Sequence, residues 1–226
     1  MKKAPVKQAL RVGWASRDVS TTKPINIPGQ FHMRISQGVI DPITVTALAI
    51  DNGEDSVVFL SADIVVIRGN LLDKIRARVA TIDPGVPVLK ILMNATHTHA
   101  APTTYGGRPD WKAGSSTASA EEVPHDGVEI ASAGEYQDFF AGQAAEAVVE
   151  AWTRRAPGGI AYGYGFAVVA HSRRVVYFDD VSKRPGATIN STHGVNGHAR
   201  MYGDTRDPMF SHYEAGTDPF INLLYT

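Results

Sequence analysis

Two histidines with one residue between them, His97 and His99, are the side chains best placed by type and spacing to do chemistry. They lie in ILMNATHTHAAPTTYGG (residues 91–107), where an apolar run ends in threonines and then a Pro- and Gly-containing loop. Side chains at i and i+2 of an extended segment point to one side, so both rings can face one cavity from a strand end. Imidazole binds zinc well at neutral pH, and a single intervening residue lets two rings approach one ion or one substrate. The competing reading is a pair of loop histidines satisfied by water. Ala-Ala-Pro follows at 100–102, so the pattern does not continue as H-x-H-x-D-H.

Further candidates are more scattered. Asp63 closes the run SVVFLSAD, where a carboxylate can ligate a metal, support a histidine or cap the next element. Arg173 and Arg174 stand in AHSRRVVYF. A guanidinium there can stabilise a developing oxyanion or hold a carboxylate, or sit on a solvated turn. His32 and Arg34 in GQFHMR, His193 and His198 in NSTHGVNGHAR, and His212 with Glu214 in FSHYEAG can each line a site. Taken singly, each is more often an ordinary polar loop residue.

Several function classes drop out. With no cysteine, any metal must be held by His, carboxylate, Tyr or backbone oxygen. There is no G-x-S-x-G elbow, phosphate loop or dinucleotide fingerprint. Twenty-two Lys and Arg balance 23 Asp and Glu, leaving no general basic field for nucleic acid. No window approaches the ~18–20 apolar residues of a membrane span. MKKAPVKQAL has a positive start with no apolar stretch behind it, so no signal peptide is read there; the compartment stays open between cytoplasmic and secreted.

The elements that must position these residues read as an α/β fold, a mixed β-sheet flanked by helices with long loops at the site. A basic leader (1–9) precedes a single domain (10–226). ALRVGW reads as a first strand, and residues 43–50 and 56–63 as a hairpin about the DNGED turn. Leu71, Ile75 and Val79 mark a helix that Asn70 and Asp73 are spaced to cap, and VLKILM (88–93) a buried strand in parallel crossover. Residues 103–134 form a long loop, expected to be a lid or wall. Tyr136, Phe140, Ala144, Val148 and Trp152 make the stripe of a second helix over 135–155. Residues 160–168 alternate as a strand with Tyr162 and Tyr164 in its core, HSRR turns, and VVYF returns. Residues 179–219 read mostly as loop, up to a strand-like FINLLYT that ends inside a domain.

The segment NATHTHAAPTTYGG resembles the ATHTHSGPGG signature of the neutral/alkaline non-lysosomal ceramidase family, in its N-terminal catalytic domain. LRVGWASRDVSTTKP, GVIDPITVTALAIDNGEDSVVFLSAD and HSRRVVYF resemble further segments of that domain in the same order, over most of residues 10–226. The resemblance implies a zinc-dependent amidase that cleaves the N-acyl bond of a ceramide-like lipid or another N-acylated small molecule. By motif, His97 is implied as a ligand of one zinc ion, His99 as a residue beside the metal, and Arg173 as the active-site arginine. Asp63, His32 and Arg174 are candidates for supporting or substrate contacts. The family takes its remaining ligands, a second His, a Glu and a Tyr, from segments further along, so the chain reads as the first part of such a domain. Alternatives are a non-catalytic lipid- or carbohydrate-binding domain on the same scaffold and a metal-dependent hydrolase of another small substrate.

Overall fold

The computed structural model describes residues 9–30, 34–68, 70–106, 129–187 and 195–226. They fall into two compact units, Met1–Gly159 and Ile160–Thr226. In the first, β1 (Arg11–Asp18), β2 (Thr44–Asp51), β3 (Ser56–Ala62), β4 (Ile91–Ala95) and β5 (Ala156–Pro157) form one sheet in the order β4-β3-β2-β1-β5. The pairs are antiparallel except β3–β4, which is parallel, so the sheet is mixed. A parallel neighbour needs a crossover, and α1 (Leu71–Ile82) lies in it. In the β2–β3 turn the Asn52 side-chain oxygen accepts the backbone N–H groups of Glu54 and Asp55 at 2.9 and 2.7 Å.

Period-two alternation sends Ala15, Val45, Ala47, Val58 and Leu60 to the face that meets the helices. α2 (Ala133–Thr153) presents Tyr136, Phe140, Ala144 and Val148 to the same core, and α1 adds Leu71, Ile75 and Val79. Small residues bring α2 close to the sheet: a Cβ on Gly13 would stand 2.2 Å from the Ala151 carbonyl oxygen. The other sheet face carries rows in register. Val12–Ile50–Val57 and Trp14–Leu48–Phe59–Leu92 are apolar, and Ser16–Thr46–Ser61–Asn94 is polar. Trp14 is 65% exposed and Leu92 54%.

Local details differ from the sequence reading. Residues Val88–Lys90 form a 3-10 turn, closed by the Lys90 N–H on the Pro87 carbonyl, and the strand begins only at Ile91. Asn70 makes no side-chain bond at the start of α1. The capping box belongs to α2. The Ser132 hydroxyl accepts the Glu135 N–H and the Glu135 carboxylate accepts the Ser132 N–H, starting the helix two residues early. Residues 107–128, the middle of the expected lid, lie outside the described residues.

In the second unit β6 (Ala161–Phe166) pairs with β11 (Phe220–Tyr225) as a two-stranded ribbon. β7 (Arg174–Tyr177), β8 (Val195–Asn196), β9 (Ala199–Met201) and β10 (Phe210–Tyr213) make a second sheet in the order β10-β7-β9-β8. VVYF therefore returns to β9 and β10, not to β6, and part of the segment read as loop is strand. Tyr162 and Tyr164 are 68% and 61% exposed, because alternation gives β6 a face but not a layer to cover it.

Candidate functional site

The site is built where β4 ends. Thr96 N–H reaches the Ala62 carbonyl at 2.9 Å and His97 N–H the Ile64 carbonyl at 3.1 Å, carrying the β3–β4 pairing into the Thr-His-Thr-His segment. His97 then turns left-handed, with φ 64°. A side chain in that region costs on the order of 1–2 kcal/mol, and such strain collects at functional sites. The simple i, i+2 argument therefore fails at His97, yet the rings still converge. The two Nε2 atoms are 3.4 Å apart, with ring centroids at 5.0 Å and planes at 79°. His97 Nδ1 lies 2.5 Å from the Val65 carbonyl oxygen. A carbonyl only accepts, so that contact places a proton on Nδ1 and makes Nε2 the nitrogen that faces His99.

Three residues support the pair. Gly29, at φ 105°, lays its backbone against the His99 ring: a Cβ there would stand 2.5 Å from Cγ and 2.6 Å from Nδ1. Arg34 donates from Nη2 to the His99 carbonyl at 2.5 Å and to the Pro28 carbonyl at 3.3 Å, tying the Gly29 turn to the histidine segment. Asp63 accepts the Thr44 N–H and hydroxyl at 2.9 and 3.1 Å through one oxygen and the Thr96 hydroxyl at 3.2 Å through the other. It thus fixes the residue before His97, joining the start of β2 to the ends of β3 and β4. The roles of Gly29 and Val65 were not visible in the sequence. In IPGQ a Pro-Gly pair signals only a loop, and Val65 contributes only its backbone.

The second unit holds the arginine pair. Arg173 donates from Nη1 to the Tyr202 hydroxyl at 2.9 Å, and Tyr202 is itself left-handed with φ 55°. Arg174 instead forms a two-pronged ion pair with Glu214. The Arg174 hydrogen bond holds the Glu214 carboxyl below its usual range. His198 Nδ1 sits 3.2 Å from the Tyr177 carbonyl, and His212 Nδ1 2.9 Å from the Ser211 hydroxyl. His32 and His193 lie outside the described residues.

The spacing of the pair leaves room for a zinc ion on His97 Nε2 with His99 beside it. Zn–N bonds of about 2.0–2.1 Å in a tetrahedron put neighbouring nitrogens about 3.3–3.4 Å apart. At the observed Nε2–Nε2 separation of 3.4 Å, His99 stands about one such edge from His97, next to an ion that His97 would hold. Among the described residues no group of three or more His, Asp or Glu is placed to hold a metal ion.

No protein-family model matches the chain. No curated protein matches it either. Solved structures do. The chain is similar to neutral ceramidase from Pseudomonas aeruginosa, with a TM-score of 0.62 and 18% identity over 97% of this chain and 29% of that one. It is also similar to a ceramidase complexed with C2, with a TM-score of 0.54 and 18% identity over 85% of this chain and 30% of that one. The chain has a ceramidase-like α/β fold and spans under a third of the length of these structures. No helix among the described residues is long and apolar enough to cross a membrane.

Proposed function

We propose that the chain carries part of the active site of a zinc-dependent hydrolase cleaving the N-acyl amide bond of a ceramide-like or other N-acylated substrate. The observation that carries this reading is the convergence of the two Nε2 atoms at 3.4 Å, with His97 oriented from behind by the Val65 carbonyl. The ceramidase-like fold supports it.

His97 would hold one zinc ion through Nε2, with His99 beside it. Bound zinc would lower the pKa of a water to about 7 and polarise the amide carbonyl. His99, pressed on Gly29 and tied to Arg34 through its carbonyl, keeps its ring at a fixed angle to His97 and can donate to an oxygen that gains charge. Arg173, which the resemblance implies as the active-site arginine, lies in the second unit. Its hydrogen bond to Tyr202 limits the orientations of the guanidinium.

The test is zinc content by elemental mass spectrometry of the purified chain and its His97→Ala variant, followed by hydrolysis assays with short-chain N-acyl amino alcohols. About one zinc per chain, lost in the variant, is the expected result. Zinc that is unchanged in His97→Ala would sink the assignment. The rival reading, a non-catalytic lipid- or carbohydrate-binding domain, draws on the lack of a group of three or more metal-ligating side chains among the described residues. It expects ligand binding without hydrolysis, whether or not zinc is added.

A further inference from the structure

A cavity borders the histidine segment. Its volume is about 480 Å3, and it opens in the first unit, lined by Thr98 but by neither His97 nor His99. That volume falls within the range of small-molecule sites, ~300–1,000 Å3. Ile27, Val39, Ile40, Ile43 and Pro102 give it apolar walls. Ser20, Thr21 and Ser36 add hydroxyls. Among the described residues the charged groups in the lining are two carboxylates, Asp41 and Asp63, with no Lys or Arg.

The charges decide the occupant. Apolar walls alone would accept any short hydrocarbon chain. Two carboxylates without a cation raise the cost of an anionic head and favour a cationic one. Asp63 is half-buried and spends three acceptor positions on Thr44 and Thr96. A carboxylate has about four, so capacity for one more donor remains. Asp41 is exposed and adds negative potential to the same lining.

The geometry points to this cavity as a binding site for an alkylammonium: a hydrocarbon chain along Ile27, Val39, Ile43 and Pro102, with its amine against Asp63. Neither histidine of the pair lines it, though Thr98 between them does, and the proposal does not rest on the hydrolase reading. The site shares Asp63 with the Thr96 hydroxyl, one residue before His97.

Isothermal titration calorimetry of the purified 226-residue chain at pH 7 tests it, with octylammonium, octan-1-ol and octanoate below micelle-forming concentrations. Octylammonium is expected to bind at least tenfold more tightly than either octan-1-ol or octanoate. Asp63→Asn should weaken it at least tenfold. Because Asp63 also joins three strands, a second variant is needed. Val39→Lys alters a wall residue that is 43% exposed, and should lower octylammonium affinity while raising that of octanoate. Octanoate binding as tightly as octylammonium, no measurable octylammonium binding, or unchanged octylammonium affinity in a folded Val39→Lys protein would each overturn the proposal. Loss of zinc or of hydrolysis leaves these binding results unaffected, so the two readings fail separately.

Discussion

His97 combines a ring nitrogen turned toward His99 with a backbone conformation that suits glycine better than histidine. The two properties separate by substitution. His97→Ala and His97→Gly both remove the ring, so both should lose zinc equally in elemental analysis. Only glycine accepts φ 64° freely, and His97→Gly should be more stable than His97→Ala by about 1 kcal/mol in urea unfolding. Equal stability would remove the argument for strain. Gly29 is the reciprocal case. Gly29→Ala meets an unfavourable φ and drives a methyl group into the His99 ring. We expect zinc affinity to fall about tenfold or more in chelator competition, the size seen when partners orienting a ligand are lost. Unchanged affinity together with an unmoved His99 resonance would show that the Gly29 turn plays no positioning role.

Among the elements, α2 packs on α1 and on strands β1 and β2, and Tyr136 links it to the end of β1. The Tyr136 hydroxyl donates to the Val19 carbonyl at 2.8 Å inside the core. Burial, reinforced by Asp18 and Asp63, raises its phenol well above the usual value. A raised folded pKa means this group's contribution is complete below the unfolded value of about 10 and is lost as pH rises through the folded one. Tyr136→Phe should lower stability by about 1–2 kcal/mol at pH 8, through the unpaired carbonyl. The gap to wild type should narrow in urea melts taken toward pH 11; a constant gap would contradict the assignment. Elements of this kind were legible in the sequence. The four-residue stripe of α2 and the turn between β2 and β3 are local signals, written in neighbouring residues. The β6–β11 pairing was not, because about fifty residues separate strands whose alternation fits several partners. The strap that carries Gly29 was hidden for another reason: it is held by backbone bonds, such as Thr103 N–H on the Asn26 carbonyl and Ala131 N–H on Pro24, which leave no mark in residue type. The histidine pair was found by spacing, but its left-handed geometry was not.

At the scale of the molecule, near-neutral charge meets uncovered apolar surface. The ribbon of β6 and β11 bears Tyr162, Tyr164 and Phe166 on one side and Ile221 and Leu223 on the other, and a two-stranded ribbon is marginal by itself. The sheet of the first unit shows its Trp14–Leu48–Phe59–Leu92 row, with Leu92 on the edge strand β4. A lysine on an edge strand opposes edge-to-edge pairing. Leu92→Lys should therefore reduce light scattering in concentrated solution without shifting the unfolding midpoint by more than about 0.5 kcal/mol equivalent. Unchanged scattering would mean that association proceeds elsewhere. The same row has a spectroscopic consequence. Of the three tryptophans, Trp14 stands in the open on that row, while Trp152 lies beneath the Arg155 guanidinium at 3.2 Å. With Trp111 and Trp152 replaced by Phe, the remaining indole would report the wetness of the sheet face directly. Its emission should move to the blue, and acrylamide quenching should weaken, whenever a second copy, a lipid or more polypeptide covers that surface.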